Sequence, residues 1–162
     1  MEIERKFRII RLPENLESYK KKVIKQGYLC SSPVIRIRQS NERYILTYKN
    51  RKGLSQEHAL QCQEVEVDLT KEAFEHLIPK VDHNLIEKTR YLIPMENDLT
   101  IELDVFEGKL SGLYFAEVEF KSEEDAKNFK KPDWFGADVS ADRRFRNTFL
   151  STVENIEELK LD

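Results

Sequence analysis

The sequence predicts an α+β protein built on a closed antiparallel β-barrel with a charged interior and helices packed on its outer surface. Six predicted strands carry two like charges at alternate positions, which places each pair on one face of its strand. Ile, Leu, Val and Phe occupy the opposite faces. A sheet with one polar and one apolar face can close with the polar face inside. The six pairs are Glu2/Glu4, Arg36/Arg38, Glu64/Glu66, Lys88/Arg90, Glu102/Asp104 and Glu117/Glu119.

Length and composition limit the class of protein. The 162 residues are enough for one domain with a core, so we expect a single domain over 1–162. The net charge of −3 gives no basic field, and we expect no stable nucleic-acid binding. Cys30 and Cys62 lack metal-type spacing, which indicates reduced thiols. Without a visible leader or membrane span, we expect a cytoplasmic protein with no membrane partner, and a homodimer is left open.

The N-terminal third is predicted as a strand, a helix and a hairpin. The first strand covers about Glu2–Ile10, where Glu2, Glu4 and Lys6 would share a face. Pro13 opens a predicted helix over Glu14–Lys25, which Gly27 would end. The extended stretch Tyr28–Cys30 then leads into a hairpin, and its two arms are Val34–Gln39 and Arg43–Lys49.

The remaining two thirds are predicted as four further strands with short helices between them. Thr70 caps a helix that ends near Pro79, and Ser122 begins another in a capping-box pattern. A final helix is predicted near Thr148–Leu159. The four strands are Gln63–Leu69, Leu85–Leu92, Leu99–Phe106 and Leu113–Phe120.

The charged faces have two interpretations. Each pair alone is typical of the solvated face of an antiparallel strand. The whole set favours a cavity, because each strand carries one sign and like charges repel unless partners or ligands offset them. With Lys6 and Lys49 included, such a cavity would hold six cations and eight carboxylates. The cations suit a chain of phosphates, and the carboxylates suit Mg²⁺ or Mn²⁺ bridging to phosphate oxygens.

An ExExK signature stands at Glu2–Lys6, and further motifs follow it in order over nearly the whole chain. Together these motifs resemble the CYTH domain family, also called triphosphate tunnel metalloenzymes. The agreement is more specific than ExExK alone, which would occur by chance. The other matching segments are Arg36–Arg38, Lys49, Glu64–Glu66, Glu87–Tyr91, Glu102–Asp104, Glu117–Phe120, Trp134–Gly136 and Asp142–Asn147.

The resemblance implies an eight-stranded antiparallel tunnel that binds Mg²⁺ or Mn²⁺ and hydrolyses a small-molecule triphosphate. By position, Glu2, Glu4, Glu117 and Glu119 correspond to metal ligands. Glu64, Glu66, Glu102 and Asp104 are further tunnel carboxylates. The implied phosphate contacts are Lys6, Arg36, Arg38, Lys49, Lys88, Arg90 and Arg144.

Within this family the chain is most similar to short bacterial inorganic tripolyphosphatases, which implies cleavage of tripolyphosphate to diphosphate and phosphate. A class IV adenylyl cyclase, a thiamine or nucleoside triphosphatase and a nonenzymatic polyphosphate-binding module are the alternatives. Lys88 and Tyr28 are the candidate catalytic residues. Lys88 would neutralise charge on the transferred phosphoryl group, and the Tyr28 hydroxyl would orient the attacking water. Packing in the core is the rival role for Tyr28.

Overall fold

A computed structural model describes residues 3–50 and 63–161. In these ranges nine strands form one antiparallel sheet, in the order β5-β4-β3-β2-β6-β7-β8-β1-β9. The predicted hairpin and later strands are confirmed. The strands are β1 (Ile3–Ile9), β2 (Lys20–Ser31), β3 (Val34–Ser40), β4 (Arg43–Asn50), β5 (Gln63–Asp68), β6 (Asp82–Pro94), β7 (Thr100–Phe106), β8 (Tyr114–Phe120) and β9 (Phe135–Asp138).

The sheet curls until strands from distant positions in its order face one another. Glu64 and Glu66 on β5 line the same cavity as Glu4 and Lys6 on β1. The edge strands are β5 and β9, and within the described ranges no hydrogen-bonded ladder joins them. The closed eight-stranded barrel is therefore not confirmed. The antiparallel sheet has nine strands because the unpredicted β9 adds to β1, where Ile9 lies opposite Phe135.

The predicted helix over Glu14–Lys25 is wrong. Only a 3₁₀ turn at Leu16–Ser18 precedes the long strand β2. The helical interpretation rested on an apolar face that included Val23, but Val23 is 56% exposed. The segment forms a strand because β2 pairs with β3 on one side and β6 on the other. This pairing satisfies its backbone hydrogen bonds over most of its length.

Two short helices begin where their capping residues predict. The Thr70 hydroxyl accepts the Ala73 N–H at 3.0 Å at the start of α1 (Lys71–Leu77). Ser122 accepts the Asp125 N–H at 3.1 Å at the start of α2 (Glu123–Asn128). Helix α1 packs on the outside of the sheet through Phe74, and α2 lies against β1 and β8.

The predicted continuous helix near Thr148–Leu159 is wrong. Helix α3 covers only Asn147–Leu150, and a separate 3₁₀ turn covers Ile156–Leu159. The Asn155 side chain accepts the Glu157 N–H at 2.9 Å and so starts the second turn independently. No helix in the described part of the chain combines the length and apolar character that a membrane crossing needs.

Two apolar clusters lie on opposite faces of the sheet. The outer cluster includes Phe7, Leu103 and Val118 and is covered by α2 and Phe135. The inner cluster closes one end of the concave face beneath the C-terminal segment. Its members are Tyr28, Ile86, Phe106, Leu110, Leu113, Phe115, Val139, Phe145, Leu150, Val153 and Leu159.

Gly27 permits close packing between β2 and the start of β6. A Cβ atom added at Gly27 would lie 2.7 Å from Val81 Cγ1 and 3.0 Å from both Val81 Cβ and Leu85 Cδ2. The Val81 Cβ atom is fixed to the backbone, so it cannot move aside cheaply. We expect Gly27→Ala to reduce the free energy of unfolding by about 1–3 kcal/mol, measured by urea denaturation.

Gly136→Ala is the matched control, because its added Cβ would make no contact closer than 3.4 Å. Its free energy of unfolding should change by less than about 1 kcal/mol. Equal unfolding midpoints for the two variants would contradict the packing role of Gly27.

Candidate active site

The concave face of the sheet contains a cavity of about 560 Å³, here called the main cavity. Its walls come from seven strands and the start of α3, and eleven of its twelve lining residues are charged. Period-two alternation on neighbouring strands delivers these side chains to one face. The lining residues are Glu4, Lys6, Arg36, Arg38, Lys49, Glu64, Glu66, Arg90, Glu102, Glu117, Glu119 and Asn147.

Carboxylates from β1 and β8 face one another on one wall. Glu4 lies directly opposite Glu119, and Lys6 lies opposite Glu117. Carboxylate oxygens are the ligands that Mg²⁺ and Mn²⁺ prefer, so this donor set fits either ion. Among the described residues, no three His, Cys, Asp or Glu side chains already form a compact metal-binding group.

The charge state of Glu117 is set by its neighbours. Burial opposes its ionisation, but Lys6 and Arg90 outweigh burial and hold the pKa of Glu117 far below its ordinary value. The Lys6 ammonium lies 3.6 Å from Glu117 Oε1, and an Arg90 nitrogen lies 3.9 Å from the same oxygen. Glu117 is therefore an anion over the physiological pH range.

Two arginines project from β3 into the same cavity. Arg36 Nη2 donates to Thr47 Oγ1 at 3.1 Å, while the buried Arg36 Nε has no hydrogen-bond partner. Arg38 Nε donates to Gln26 Oε1 at 2.7 Å. Burial and the neighbouring arginines lower the pKa of Arg38, although a guanidinium stays charged at neutral pH. The unpaired Arg36 donor is available to a ligand oxygen.

Two lysines complete the cation set. Lys6 Nζ donates to the Phe145 carbonyl at 2.7 Å and lies 4.5 Å from the centre of the Phe115 ring. Lys49 Nζ lies 3.7 Å from Glu64 Oε1 on the neighbouring strand. Both ammonium groups therefore have fixed positions before any ligand binds.

Lys88 lies behind the cavity wall and is not among the lining residues. Its side chain has 0% exposure, as does that of Asp104, and Lys88 Nζ donates to Asp104 Oδ2 at 2.7 Å. Arg90 donates to both oxygens of the same carboxylate, at 2.8 and 3.0 Å. Burial lowers the pKa of Lys88 to about 7, and Asp104 opposes this shift. Arg90 and Lys88 outweigh burial and lower the pKa of Asp104.

A second, adjoining cavity of about 900 Å³ shares Glu4, Lys6, Arg36, Lys49 and Asn147 with the main cavity. Tyr28 lines only this adjoining cavity. Its side chain is also part of the inner cluster, and its hydroxyl accepts a hydrogen bond from Gln26 Nε2 at 3.3 Å. Burial raises the pKa of Tyr28, opposed by Arg36, Arg38 and Lys49, so the phenol is neutral.

Comparison with known proteins places this chain in a family. The sequence model of the CYTH domain matches residues 1–145. The chain belongs to the CYTH family. An inorganic triphosphatase from Nitrosomonas europaea is 39% identical over 153 residues, which are 93% of this chain and 96% of that protein. One from Acetivibrio thermocellus is 36% identical over 154 residues, 92% of each chain.

Solved structures of other proteins have a similar fold. The crystal structure of an inorganic triphosphatase aligns with a TM-score of 0.71 at 34% identity, over 96% of this chain and 97% of that one. A Hippeastrum protein aligns with a TM-score of 0.55 at 18% identity, over 78% of this chain and 83% of that one. The similarity to the Hippeastrum protein supports only a shared fold. The antiparallel sheet fold is therefore shared with these solved structures.

Of the phosphate contacts predicted for this CYTH chain, Arg144 lies away from the main cavity. Glu2 is outside the described residues. Arg144 lines neither cavity, and its guanidinium contacts Asp142 at 2.6–3.1 Å and the Leu159 carbonyl at 2.8 Å. Its predicted phosphate contact stays a prediction. The other predicted phosphate contacts, except Lys88, meet in the main cavity, as do Glu4, Glu117 and Glu119.

The CYTH site also contains neutral residues that the charge pattern did not reveal. Gln26 and Thr47 are completely buried partners of Arg38 and Arg36. Asn147 lies where the two cavities meet, and its buried Oδ1 has no hydrogen-bond partner. Gln26 could have been found by continuing the strand alternation from Tyr28, but the predicted helix concealed it.

Proposed function

We propose that this chain is a divalent-metal-dependent triphosphatase that hydrolyses inorganic tripolyphosphate to diphosphate and phosphate. The charge of the main cavity supports this proposal most directly. Its lining has five cations and six carboxylates, so its formal charge is −1 before ligand binds. Such a cavity would repel a polyanion unless bound metal ions balance the carboxylates. Bound metal would balance the carboxylates of the lining, and the triphosphate would balance its cations.

The carboxylates of β1 and β8 are the proposed metal-binding wall. Glu4, Glu117 and Glu119 would provide oxygen ligands, and we propose Glu2 as a fourth. A bound Mg²⁺ or Mn²⁺ would polarise a phosphoryl oxygen and neutralise charge on the triphosphate. Lys6 lies opposite Glu117 and keeps that carboxylate ionised, which favours metal binding.

The cations that line the main cavity are the proposed phosphate-binding residues. Arg36, Arg38 and Arg90 can each direct N–H donors at phosphate oxygens, and the unpaired Arg36 Nε is already desolvated. Lys6 and Lys49 add compact positive charges. Because phosphoryl transfer depends mainly on positioning and electrostatic stabilisation, these groups could account for most of the catalysis. Lys88 does not line the cavity, so we propose an indirect role for it below.

The composition of the main cavity favours an inorganic triphosphate over a nucleotide. None of its twelve lining residues in the described part of the chain is aromatic, so these residues offer no ring on which a base could stack. Two relatives that match almost end to end are named inorganic triphosphatases. We propose the cytoplasm as the compartment and a free small molecule as the substrate.

Tyr28 is the proposed water-orienting residue. Tyr28 lines the adjoining cavity together with Arg36, and we propose that its hydroxyl contacts water entering the main cavity. Tyr28→Phe keeps the ring in the inner cluster and removes only the hydroxyl. We expect kcat to fall by at least tenfold, about 1.4 kcal/mol, with a melting temperature within about 3 °C of wild type.

The control is Tyr114→Phe, because Tyr114 belongs to neither cavity lining. Its kcat should remain at the wild-type value. If Tyr28→Phe also keeps the wild-type kcat, Tyr28 serves packing alone and the metal with the cations constitutes the catalytic apparatus.

A substrate panel tests the proposed function. Purified protein with Mg²⁺ or Mn²⁺ is supplied with tripolyphosphate, ATP or thiamine triphosphate, and released phosphate and cyclic AMP are measured. We expect kcat/KM for tripolyphosphate to exceed the other values by at least tenfold. Cyclic AMP would instead indicate an adenylyl cyclase, and binding without release from any substrate would indicate a polyphosphate-binding module.

A further inference from the structure

The Lys88–Asp104 ion pair lies between the inner cluster and the main cavity. Along β6, Ile86, Lys88 and Arg90 follow one another on the concave face, so the chain passes from apolar core to buried charge to cavity wall. Lys88 Nζ lies 5.4 Å from the centre of the Phe106 ring, and Phe106 is its cross-strand neighbour on β7. The pair is therefore shielded from solvent.

Asp104 holds the guanidinium of Arg90 in a fixed plane. Two parallel hydrogen bonds from Nε and Nη2 join the guanidinium to its carboxylate, and Arg90 Nη1 lies 2.5 Å from Glu102 Oε2. These contacts use three of the five N–H donors of the arginine. Two donors remain on a group that lines the main cavity.

Lys88 prevents Asp104 from cancelling the charge of Arg90. A carboxylate paired with Arg90 alone would leave that pair formally neutral, with little attraction for phosphate. With Lys88 protonated, Lys88, Asp104, Arg90 and Glu102 together are formally neutral, whereas without the charge of Lys88 they would have a formal charge of −1. Arg90 and Glu102 line the cavity, and the positive charge of Lys88 offsets Asp104. Coulomb attraction across a desolvated wall is stronger than in water, so this charge contributes where phosphate would bind.

We propose that Asp104, with its charge balanced by Lys88, is a positioning residue for Arg90. It fixes the guanidinium so that the two remaining donors bind one phosphoryl group of the substrate. The proposal rests on the proposed function, because it concerns the same triphosphate. Neither Asp104 nor Lys88 contacts the substrate, and their contribution passes through Arg90.

The test replaces Lys88 and Asp104 together, while Arg90 keeps its contact with Glu102. Apolar side chains of similar volume commonly maintain or raise stability in place of a buried ion pair. We expect Lys88→Met/Asp104→Leu to keep or raise the melting temperature while kcat/KM for tripolyphosphate falls at least tenfold. The matched control is Lys25→Met/Glu87→Leu, which removes a solvent-exposed pair between β2 and β6 with a 3.7 Å separation. This control should keep the wild-type kcat/KM.

A second measurement separates positioning from general damage. In an Arg90→Lys background the bidentate contact with Asp104 is already lost, so the same double substitution should reduce kcat/KM by less than threefold further. An undiminished loss in that background would overturn the proposal. Wild-type kcat/KM in the double variant would also overturn it and leave the pair a purely structural role.

Asp104→Asn keeps the inference testable if the double variant does not fold. This near-isosteric change should lower kcat/KM at least tenfold at temperatures well below its melting point, whereas a purely structural role would lower only the melting temperature. If wild-type protein hydrolyses no triphosphate, the proposed function fails separately. The inference is then tested by tripolyphosphate binding, which should weaken at least tenfold in the same variants, and unchanged binding would overturn it.

Discussion

Replacing Glu4 by Gln is expected to lower kcat for tripolyphosphate hydrolysis by at least about 100-fold, or about 2.7 kcal/mol. Glu4 lies opposite Glu119 at the centre of the proposed metal-binding wall. Gln keeps the length of the side chain and one carbonyl oxygen but removes the negative charge that a divalent cation needs. The measurement is phosphate release at saturating substrate over a full metal titration, with circular dichroism to verify the fold.

Glu42→Gln is the matched control for this loss. Glu42 is exposed in the turn between β3 and β4, and it lines neither cavity. The same chemical change there should leave kcat at the wild-type value. If Glu4→Gln keeps more than a third of wild-type kcat at every metal concentration, Glu4 does not bind the catalytic metal.

Metal and tripolyphosphate together are expected to stabilise the protein strongly. The main cavity holds like charges close together on β1, β7 and β8, and metal with phosphate would compensate them. At ligand concentrations a hundred times the dissociation constant, linkage contributes about 2.7 kcal/mol. For a domain of this size that corresponds to a rise of roughly 5–10 °C in melting temperature. The measurement is a thermal melt with tripolyphosphate in large excess.

Sodium chloride at matched ionic strength provides the control, because screening alone could relieve repulsion among exposed charges. Metal alone and tripolyphosphate alone should each produce a smaller shift than the two together. Melting curves that coincide with and without saturating metal and tripolyphosphate would show that the charged faces do not form one binding site.

The charged site could be predicted from sequence because its signal is local. In Arg36–Arg38 and Glu117–Glu119, alternation along one strand is enough to place both charges on one face. We predicted that these faces meet in one cavity because several solvated strand faces are unlikely to carry charges of a single sign each. The family resemblance then ordered the residues by role. The charged residues that line the main cavity are all among those predicted.

Features that depend on contacts between distant segments could not be predicted. The segment Lys20–Lys25 has no decisive local preference, and it becomes a strand because β3 and β6 supply hydrogen-bonding partners on both sides. Lys88 and Arg90 form one pair in the sequence, yet Lys88 is buried and Arg90 lines the cavity. This difference arises because the C-terminal segment covers one end of the concave face. The alternation of residues along a strand carries no information about that cover.

The release of phosphate and diphosphate from tripolyphosphate tests the central claim most directly. Both products are quantified with purified protein in the presence of Mg²⁺ or Mn²⁺, after chelation with EDTA, and after metal is restored. We predict one phosphate for each diphosphate, loss of both products on chelation, and recovery when metal returns. Release that persists in EDTA, or no release with either metal, would contradict a metal-dependent triphosphatase.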